Sequence, residues 1–397
     1  MTAKESLLPE RVVYIPEILL PQTDDMYAWA VNACDQFTSD ASYWRQVEEI
    51  ARGKLSAYHL ILPEIYLKDD LPHRIGRINA NMREYLSRGV FRQLPPGFIL
   101  VERTLPYGVR SGIVLGVDLE CYSFDGTGDA LIRSTEATVM DRLPPRVSVR
   151  EDAPLELPHV MVLYDDPENC VLSSVRRGNV LYDFDLNMGG GHVKGTFVEN
   201  SAQVKDAFNK LCPRGGMLFA AGDGNHSLAA AKLCWERIKP GLDAAQRKTH
   251  PARYALCEAV NIYDPALTFH PIHRLVKTGN PEDFVRGWDI KGDGMAVVVC
   301  GGKRAEVPFP RDVPSGIRML DDYIEKFVSA FGGVADYIHG DGELVALSRR
   351  GVGVLVPRIE KEDLFPLIER GGNLPKKTFS LGEGREKRYY IEAKRIK

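Results

Sequence analysis

One strand–turn–helix pattern, at residues 218–232, constrains the fold of this chain more than any other stretch. It opens with a short apolar run that is typical of a buried strand, and it then turns through Gly-Asp-Gly at 222–224 into an alanine-rich segment. In that segment apolar residues, among them Leu228 and Trp235, recur at helical spacing on one face. The pattern predicts a strand over 217–222 inside a mixed sheet, followed at once by a helix.

The turn itself has the chemistry of an anion site. Asn225 is the predicted N-cap, with His226 and Ser227 in the first helical turn. The backbone N–H groups and the positive end of the helix dipole face one point there, which suits a phosphate or a carboxylate. The alternative is an ordinary strand-to-helix connection whose glycines serve only tight geometry, and the local pattern leaves both interpretations open.

The motif Asp223-Gly224-Asn225-His226, followed by an alanine-rich helix, resembles the signature of the ParB/sulfiredoxin-like superfamily. That signature is usually Asp-Gly-His-His-Arg before a helix of small residues. The resemblance implies a turn that binds nucleotide phosphates, as in CTP-binding partition proteins, ATP-using sulfiredoxins and free-serine kinases. Asn225 stands where a histidine is common, and Ser227 where an arginine is common. Without that arginine, another cation must neutralise the phosphate charge.

Further stretches extend the resemblance over nearly the full length, to a bacterial and archaeal family of unknown function in the same superfamily. They are residues 34–38 with Tyr43-Trp44, 132–136, 153–159, 189–192, 271–274 and 375–377. The resemblance to free-serine kinases concerns only the shared turn and is more remote. The resemblance to the ParB/sulfiredoxin-like superfamily implies an α/β (α+β) fold with mixed sheets and flanking helices around the 222–227 turn.

Composition and charge exclude several classes of protein. The net charge is −3 and no basic arm is present, so we expect no nucleic-acid partner. The seven cysteines are scattered without a Cys-x-x-Cys pair, which argues against a disulfide framework and a zinc site. Because neither a leader-like apolar segment nor a membrane-length apolar run is evident, we expect a cytoplasmic protein without a membrane partner.

Alternating strand-like and helix-like segments predict three regions. Residues 1–150 form an N-terminal α/β region, and 151–276 form the core that carries the turn. Residues 277–397 form a C-terminal α/β region whose final strand returns to the body of the protein. Whether 277–370 is a lid or a separate module stays open.

Charged and glycine-rich positions outside the turn supply further candidates. Arg133 and Glu136 follow a predicted strand end, where an arginine fork suits phosphate or carboxylate recognition. The glycines at 189–191 either let the backbone approach a ligand closely or form an open turn. The polar and aromatic cluster at 34–38 either lines a pocket or caps a helix. For the His-x-x-His pair at 270–273, packing or hydrogen bonding is favoured over metal binding, because no third ligand is apparent.

Together these residues favour a nucleotide-binding phosphotransferase that acts on a small metabolite, with a free amino acid such as serine as one candidate acceptor. ATP or ADP and Mg²⁺ are the cofactors implied. Asp223 holds Mg²⁺ or braces the turn, His226 donates to a phosphate oxygen, and Glu136 is the general base for the acceptor hydroxyl. The residues assigned to phosphate or nucleotide binding are Gly222, Gly224, Asn225, Ser227, Arg133, Gly190, Gly191, His192, Lys194 and Arg274.

Two other functions remain to be compared with this hypothesis. A nucleotide- or metabolite-binding regulator without turnover would use the same turn, and consumption of nucleotide in the presence of metabolites separates the two. A DNA-partition or transcription role is disfavoured by the acidic balance and by the absence of a basic recognition helix after residue 240. For the composite site to exist, the segments at Arg133, Gly190 and Gly224 must converge on one cleft.

Overall fold

The computed structural model describes residues 12–67, 69–126, 128–211 and 216–397. They divide into two compact units. The first contains the described residues up to Leu267 together with the C-terminal segment, Glu383–Lys397, and the second is Thr268–Gly382. Helices flank the sheets, and the main sheet of the first unit mixes parallel and antiparallel pairs, which confirms the predicted α/β (α+β) class.

Strands and helices are interspersed along the chain, with several strands in succession between Phe91 and Ser134. The strands are β1 Val13–Tyr14, β2 Leu19–Pro21, β3 Val31–Asn32, β4 Phe91–Gln93, β5 Phe98–Leu105, β6 Gly108–Asp118, β7 Tyr122–Ser123, β8 Ile132–Ser134, β9 Leu155–Glu156, β10 Met161–Tyr164, β11 Arg177–Asp185, β12 His192–Val198, β13 Phe219–Asp223, β14 Tyr254–Asn261, β15 Phe269–Lys277, β16 Gly294–Cys300, β17 Lys303–Phe309, β18 Val334–His339, β19 Val352–Leu355, β20 Phe379–Leu381, β21 Tyr389–Tyr390 and β22 Lys394–Arg395. The helices are α1 Met26–Trp29, α2 Ala41–Ala51, α3 Leu71–Ser87, α4 Leu143–Asp152, α5 Cys170–Ser173, α6 Ser201–Leu211, α7 Asn225–Ile238, α8 Ala244–Thr249, α9 Pro281–Arg286, α10 Val313–Phe331, α11 Asp341–Leu347 and α12 Leu364–Gly371.

The main sheet of the first unit places the predicted turn at one of its edges. Its strand order is β11-β12-β5-β6-β14-β10-β13-β8-β7, with β1 beside β6. Strand β13 pairs antiparallel with β10 and parallel with β8. Because β8 and β13 are parallel neighbours, the residues that follow both strands lie at the same edge of the sheet. The strand predicted over 217–222 and the helix predicted to follow it are confirmed, with both strand bounds and the helix start within two residues of their predicted positions.

Helix α7 packs its apolar face into the core of the first unit. Leu228, Ala231 and Trp235 recur at the spacing that brings side chains to one face, and all three are buried. The indole nitrogen of Trp235 donates a hydrogen bond to the carboxylate of Glu120 at 2.5 Å. Trp235 thereby buries its ring without leaving its polar atom unsatisfied. The helix start is fixed by this packing as well as by the turn.

The C-terminal segment is an integral part of the first unit. The buried guanidinium of Arg388 forms ion pairs with Glu258 of β14 and with Glu392, the latter at 2.6 Å. Trp29 donates its indole N–H to the carbonyl of Ile391 at 2.9 Å. Tyr182 donates its hydroxyl to the other oxygen of Glu392. These contacts engage both oxygens of Glu392 and give the carboxylate of Glu258 a charged partner inside the core, so the segment is held by charge pairing as well as by packing.

The second unit has its own antiparallel sheet, of order β17-β16-β19-β15-β18, with β20 beside β15. Helix α10 buries Ile317, Leu320, Ile324 and Phe327 along one stripe. This spacing is that of an amphipathic surface helix. Across the part of the chain that the structure describes, no helix combines the length and apolarity that a bilayer crossing requires.

Removal of the Arg388 charge is expected to destabilise the first unit strongly. Arg388→Met leaves two buried carboxylates without their partner, which costs about 3–5 kcal/mol in the free energy of unfolding. Urea unfolding followed by tryptophan fluorescence measures it, because Trp29, Trp44 and Trp235 belong to this unit. Arg237→Met is the control, since Arg237 pairs with Glu151 at the exposed surface and its loss costs less than about 1 kcal/mol. Equal losses in the two variants would contradict the assignment.

Candidate functional site

The 222–227 turn depends on a glycine in the left-handed region. Gly224 has φ +73° and occupies the N-cap of α7. A Cβ at this position would lie 3.0 Å from the Cα of Val160, so both conformation and space favour glycine. The prediction of Asn225 as the N-cap is therefore wrong. The tight left-handed turn uses Gly224 as the cap, and Asn225 becomes the first helical residue.

The segment after β8 is hydrogen-bonded to this turn. Thr135 donates both its backbone N–H and its hydroxyl to the carbonyl of Ala221, at 3.2 and 2.8 Å. The backbone N–H of Val139 donates to Nε2 of His226 at 3.2 Å. A neutral His226 ring in this arrangement accepts at Nε2 and carries its proton on Nδ1. Glu136 lies between these two contacts, and its segment therefore shares the sheet edge with the turn.

Asp223 ends β13 and faces a lysine from the far end of the chain. Its carboxylate is 13% exposed, and Nζ of Lys387 lies 3.5 Å from Oδ2. Burial raises the pKa of Asp223, the charge of Lys387 lowers it, and the nearby charge of Asp35 raises it, with a net upward shift. Burial disfavours the charged form of this carboxylate, so a further cation or hydrogen-bond donor would stabilise it.

A buried histidine joins Asp35 to the first turn of α7. His159 Nδ1 and the hydroxyl of Tyr390 are 2.7 Å apart, and Nε2 lies 3.4 Å from the hydroxyl of Ser227. The same Nε2 lies 3.8 Å from Oδ2 of Asp35. Burial raises the pKa of Asp35, but His159 and Gln36 lower it further, so the net shift is downward. Asp35 is therefore ionised at neutral pH, whereas the pKa of the nearby Asp223 is raised.

Several polar atoms at this edge are buried without a hydrogen-bond partner in the described part of the chain. They are Oδ2 of Asp223, Oδ1 of Asn225 and the hydroxyl oxygen of Thr138. Native proteins rarely leave such atoms unsatisfied, and those that remain often lie at sites that bind a ligand, an ion or water. The three atoms come from β13, from α7 and from the segment after β8. Two of them belong to the turn itself, and the third belongs to the segment that is hydrogen-bonded to it.

The predicted glycine loop packs against protein atoms. A Cβ at Gly190 would lie 2.6 Å from the hydroxyl of Tyr389, and one at Gly191 would lie 2.3 Å from the carbonyl of Thr104. The guanidinium of Arg103 donates to the carbonyl of Gly190 at 2.7 Å. The loop contacts Tyr389 of the C-terminal segment, whereas the turn contacts Lys387 of the same segment. The glycines at 190 and 191 therefore allow close contact with other residues of the protein.

Other predicted site residues are not brought to the turn. His192 bonds Asp185 and Asp183 at 2.7 and 2.6 Å on the outer hairpin, and Lys194 lies 3.7 Å from Asp183. Four strands separate β12 from β13 along the sheet path, which is about 24 Å at the usual strand spacing.

The two predicted arginines also have protein partners. Nε of Arg133 donates to the carbonyl of Ala130 at 3.0 Å, three residues toward the amino end. Arg274 belongs to the second unit, where it is 2% exposed and paired with Asp321 at 2.8 Å. Its guanidinium also donates to the carbonyls of Ile272 and Lys377, at 2.6 and 2.7 Å. Each guanidinium is therefore engaged inside its own unit.

Three residues of the site lacked an assigned role in the sequence interpretation: His159, Asp35 and Lys387. Asp35 falls in the cluster at 34–38, for which a pocket was one of two interpretations, and His159 ends one of the stretches of family resemblance. Lys387 follows Asp223 by more than 160 positions, and no local pattern connects the two. In the described residues, no group of three or more His, Cys, Asp and Glu side chains is arranged to hold a metal ion.

Comparison with known proteins shows the family. The family model described as protein of unknown function (DUF1015) matches residues 17–290, and the chain belongs to this family. No curated protein matches the chain. The ParB/sulfiredoxin-like superfamily is not named by the comparisons and stays a prediction.

Three solved structures are similar to this chain at low identity. A C-terminally truncated SbnI from Staphylococcus aureus has a TM-score of 0.37 at 10% identity, covering 68% of this chain and 82% of that one. A conserved hypothetical protein from Pyrococcus furiosus has a TM-score of 0.35 at 10% identity, covering 68% and 90%. A free serine kinase in complex with AMP has a TM-score of 0.40 at 10% identity, covering 71% and 92%.

The lowered pKa of Asp35 gives a pH-dependent contribution to stability. Because folding lowers this pKa below its ordinary value of 3.8, the contribution is present above that value and is lost as the pH falls through the folded pKa. Asp35→Asn is expected to lower the free energy of unfolding at pH 7 by about 1.5–3 kcal/mol, the value of a hydrogen bond to a charged group. Urea unfolding should show this difference shrinking progressively as the pH falls below 3.8. Exposed Asp141→Asn is the control, with no such trend expected. A difference independent of pH would contradict the assignment.

Proposed function

We propose that this member of the DUF1015 family binds a nucleotide at the 222–227 turn and transfers a phosphoryl group to a small metabolite. One observation carries the proposal. The N-terminus of α7, the Lys387 cation and two carboxylates with opposite pKa shifts, Asp35 and Asp223, meet around His159 at one sheet edge. Phosphoryl transfer requires positioning, positive charge and a proton acceptor in one place.

The nucleotide phosphates are bound by the first turn of α7. Its backbone N–H groups and helix dipole favour an anion, and the left-handed Gly224 lets the backbone approach it closely. The side chains of His226 and Ser227 are the further donors proposed from the sequence. Lys387 takes the place of the arginine that the superfamily signature carries, because its ammonium already lies beside Asp223. A lysine serves here as a point charge on the phosphate.

ATP or ADP with Mg²⁺ is the proposed cofactor, and Asp223 is the proposed magnesium ligand. Oδ2 of Asp223 is buried and has no hydrogen-bond partner among the described residues, which fits a ligand atom. Mg²⁺ commonly takes one or two carboxylates together with phosphate oxygens and waters, so a preformed cage is not required. Bound there, Mg²⁺ would offset the negative charge of Asp223 and of the phosphates.

Asp35 is the proposed proton acceptor for the hydroxyl of the metabolite. It is ionised, 21% exposed and next to His159, whose ring is held on its other side by Tyr390. An aspartate has this role in protein kinases, where it accepts the proton of the substrate hydroxyl. Glu136, the base predicted from the sequence, shares the sheet edge and is the second candidate.

The proposal is tested by nucleotide consumption. Purified protein with Mg²⁺ and either ATP or ADP is supplied with a panel of hydroxylated metabolites that includes serine, and nucleotide products are separated by chromatography. We expect consumption that depends on the metabolite. Nucleotide binding without consumption across the panel would instead support a regulator without turnover. Absence of both binding and consumption would overturn the proposal.

The variant Lys387→Met tests whether Lys387 is the cation that binds the nucleotide phosphates. Loss of a charge-assisted contact of about 1.5–3 kcal/mol weakens nucleotide binding about 10- to 100-fold in calorimetric titrations. Lys239→Met is the matched control, because Lys239 follows the opposite end of α7 and pairs with Glu236 and Glu120. We expect it to bind nucleotide as the unmodified protein does. Equal affinity in the two variants would argue against Lys387 as the cation.

Asp223→Asn is expected to remove the magnesium-dependent part of nucleotide affinity without lowering stability at neutral pH. Because folding raises the pKa of Asp223, its ionised form is disfavoured in the fold, and the stability of the unmodified protein falls as the pH rises through that window. Titrations with and without Mg²⁺, combined with urea unfolding at pH 7, measure both effects. A stability loss with unchanged magnesium dependence would make Asp223 a brace of the turn.

A further inference from the structure

An apolar cavity of about 130 Å³ lies along α7 in the first unit, next to the 222–227 turn. Its walls include Leu62, Met82, Val149, Leu157, Ala230 and Ala231. Its polar end is formed by Ser227, His159 and Cys34. The cavity therefore starts at the residues of the proposed phosphotransfer site and continues away from them along the helix.

Helix α7 makes room for the cavity with small side chains. Ser227, Ala230 and Ala231 are spaced three and four residues apart, so they share one face of the helix. A larger side chain at Ala230 or Ala231 would fill the space. The hydroxyl of Ser227, one turn earlier on this face, lies 3.4 Å from Nε2 of His159. One helix face thus presents a polar group at the turn and an apolar surface beyond it.

The charged residues in the lining do not make the cavity an anion site. Arg146 pairs with Glu64, and Arg150 pairs with Glu156 at 2.6 Å. Each guanidinium in the lining therefore has a carboxylate partner, and the four charges sum to zero. The remaining walls are mainly aliphatic. This combination favours a neutral apolar group over a second phosphate or a carboxylate.

We propose that this cavity binds the apolar group of the small-molecule substrate, whose hydroxyl lies at the end formed by Ser227 and His159. The proposal rests on the proposed function and names the substrate class. The substrate is a small amphiphile with a hydroxyl-bearing head and an apolar group about the size of a six-carbon ring or a short alkyl chain. A cavity of 150 Å³ with aliphatic and aromatic walls binds benzene, which sets this upper size. Serine, which has no apolar group, leaves the cavity unfilled.

Binding of n-alkanols, from ethanol to octanol, tests the cavity without nucleotide or turnover. ¹³C-methyl methionine NMR reports occupancy, because Met82 lines the cavity and Met295 is exposed in the second unit as an internal control. We expect Met82 to shift selectively, and the dissociation constant to fall about fourfold per methylene (about 0.8 kcal/mol) until the cavity is full. An unshifted Met82 signal or an affinity independent of chain length would overturn the proposal.

Two variants change the cavity in opposite directions. Ala231→Leu fills it and is expected to weaken hexanol binding at least tenfold. Leu62→Ala enlarges it at a half-buried position and should move the affinity plateau to a longer alkanol. Ala245→Leu, at an exposed position of α8, is the control and should bind alkanols as the unmodified protein does. Unchanged binding in a folded Ala231→Leu protein, or an unmoved plateau in Leu62→Ala, would count against the assignment.

A turnover experiment connects the cavity to the substrate. 3-Hydroxy acids with alkyl groups of increasing length are supplied with ATP or ADP, and kcat/KM is expected to rise along the series and then level off at the length found with alkanols. Alkanol binding without nucleotide binding would keep the cavity and reject the proposed function. Nucleotide consumption that is highest with serine and falls along the series would keep the proposed function and reject this substrate class.

Discussion

The buried ion pairs of Arg388 determine much of what the candidate site contains. Arg388 lies between Glu258 of the main sheet and Glu392, and it also donates to the carbonyl of Pro158 at 3.3 Å. These contacts fix the backbone of the C-terminal segment on both sides of Arg388. Its neighbours are then directed to the site, with Lys387 beside Asp223 and Tyr390 on the ring of His159. A buried charge network of this kind is costly to desolvate, and positional specificity is one benefit that offsets the cost.

The surroundings of two neighbouring carboxylates, Asp223 and Asp35, shift their pKa values in opposite directions. Burial and the charge of Asp35 raise the pKa of Asp223, whereas His159 and Gln36 hold that of Asp35 low despite its burial. Pairs of titratable groups separated in this way commonly divide roles in catalysis. In the proposed site, Asp223 is the carboxylate assigned to a cation and Asp35 is the one assigned to accept a proton. The arrangement gives a physical reason for assigning Asp223 and Asp35 different tasks.

The sequence alone predicted the fold class and the strand–turn–helix unit, because both follow from the local periodicity of apolar residues and from the position of Gly224. It failed on the N-cap, since a left-handed glycine replaced the side-chain cap expected of Asn225. It also had no access to Lys387, whose position depends on the long return of the chain and on the pairing of Arg388. Nor could it distinguish close packing from ligand contact at Gly190 and Gly191, where the partners proved to be Tyr389 and Thr104.

The alanine-rich stretch of α7 has a role that the signature alone does not suggest. Small residues after a phosphate-binding turn are usually explained by close packing of the helix on its sheet, and Ala231 does lie in the core. The same residue, with Ala230, also borders the cavity that begins at Ser227. In the proposed site, one helix therefore supplies both the donors for an anion and the space for an apolar group, at a separation fixed by the helical rise of 1.5 Å per residue. A rigid spacing between the reacting end and the apolar end is what a site needs to select a substrate by its length.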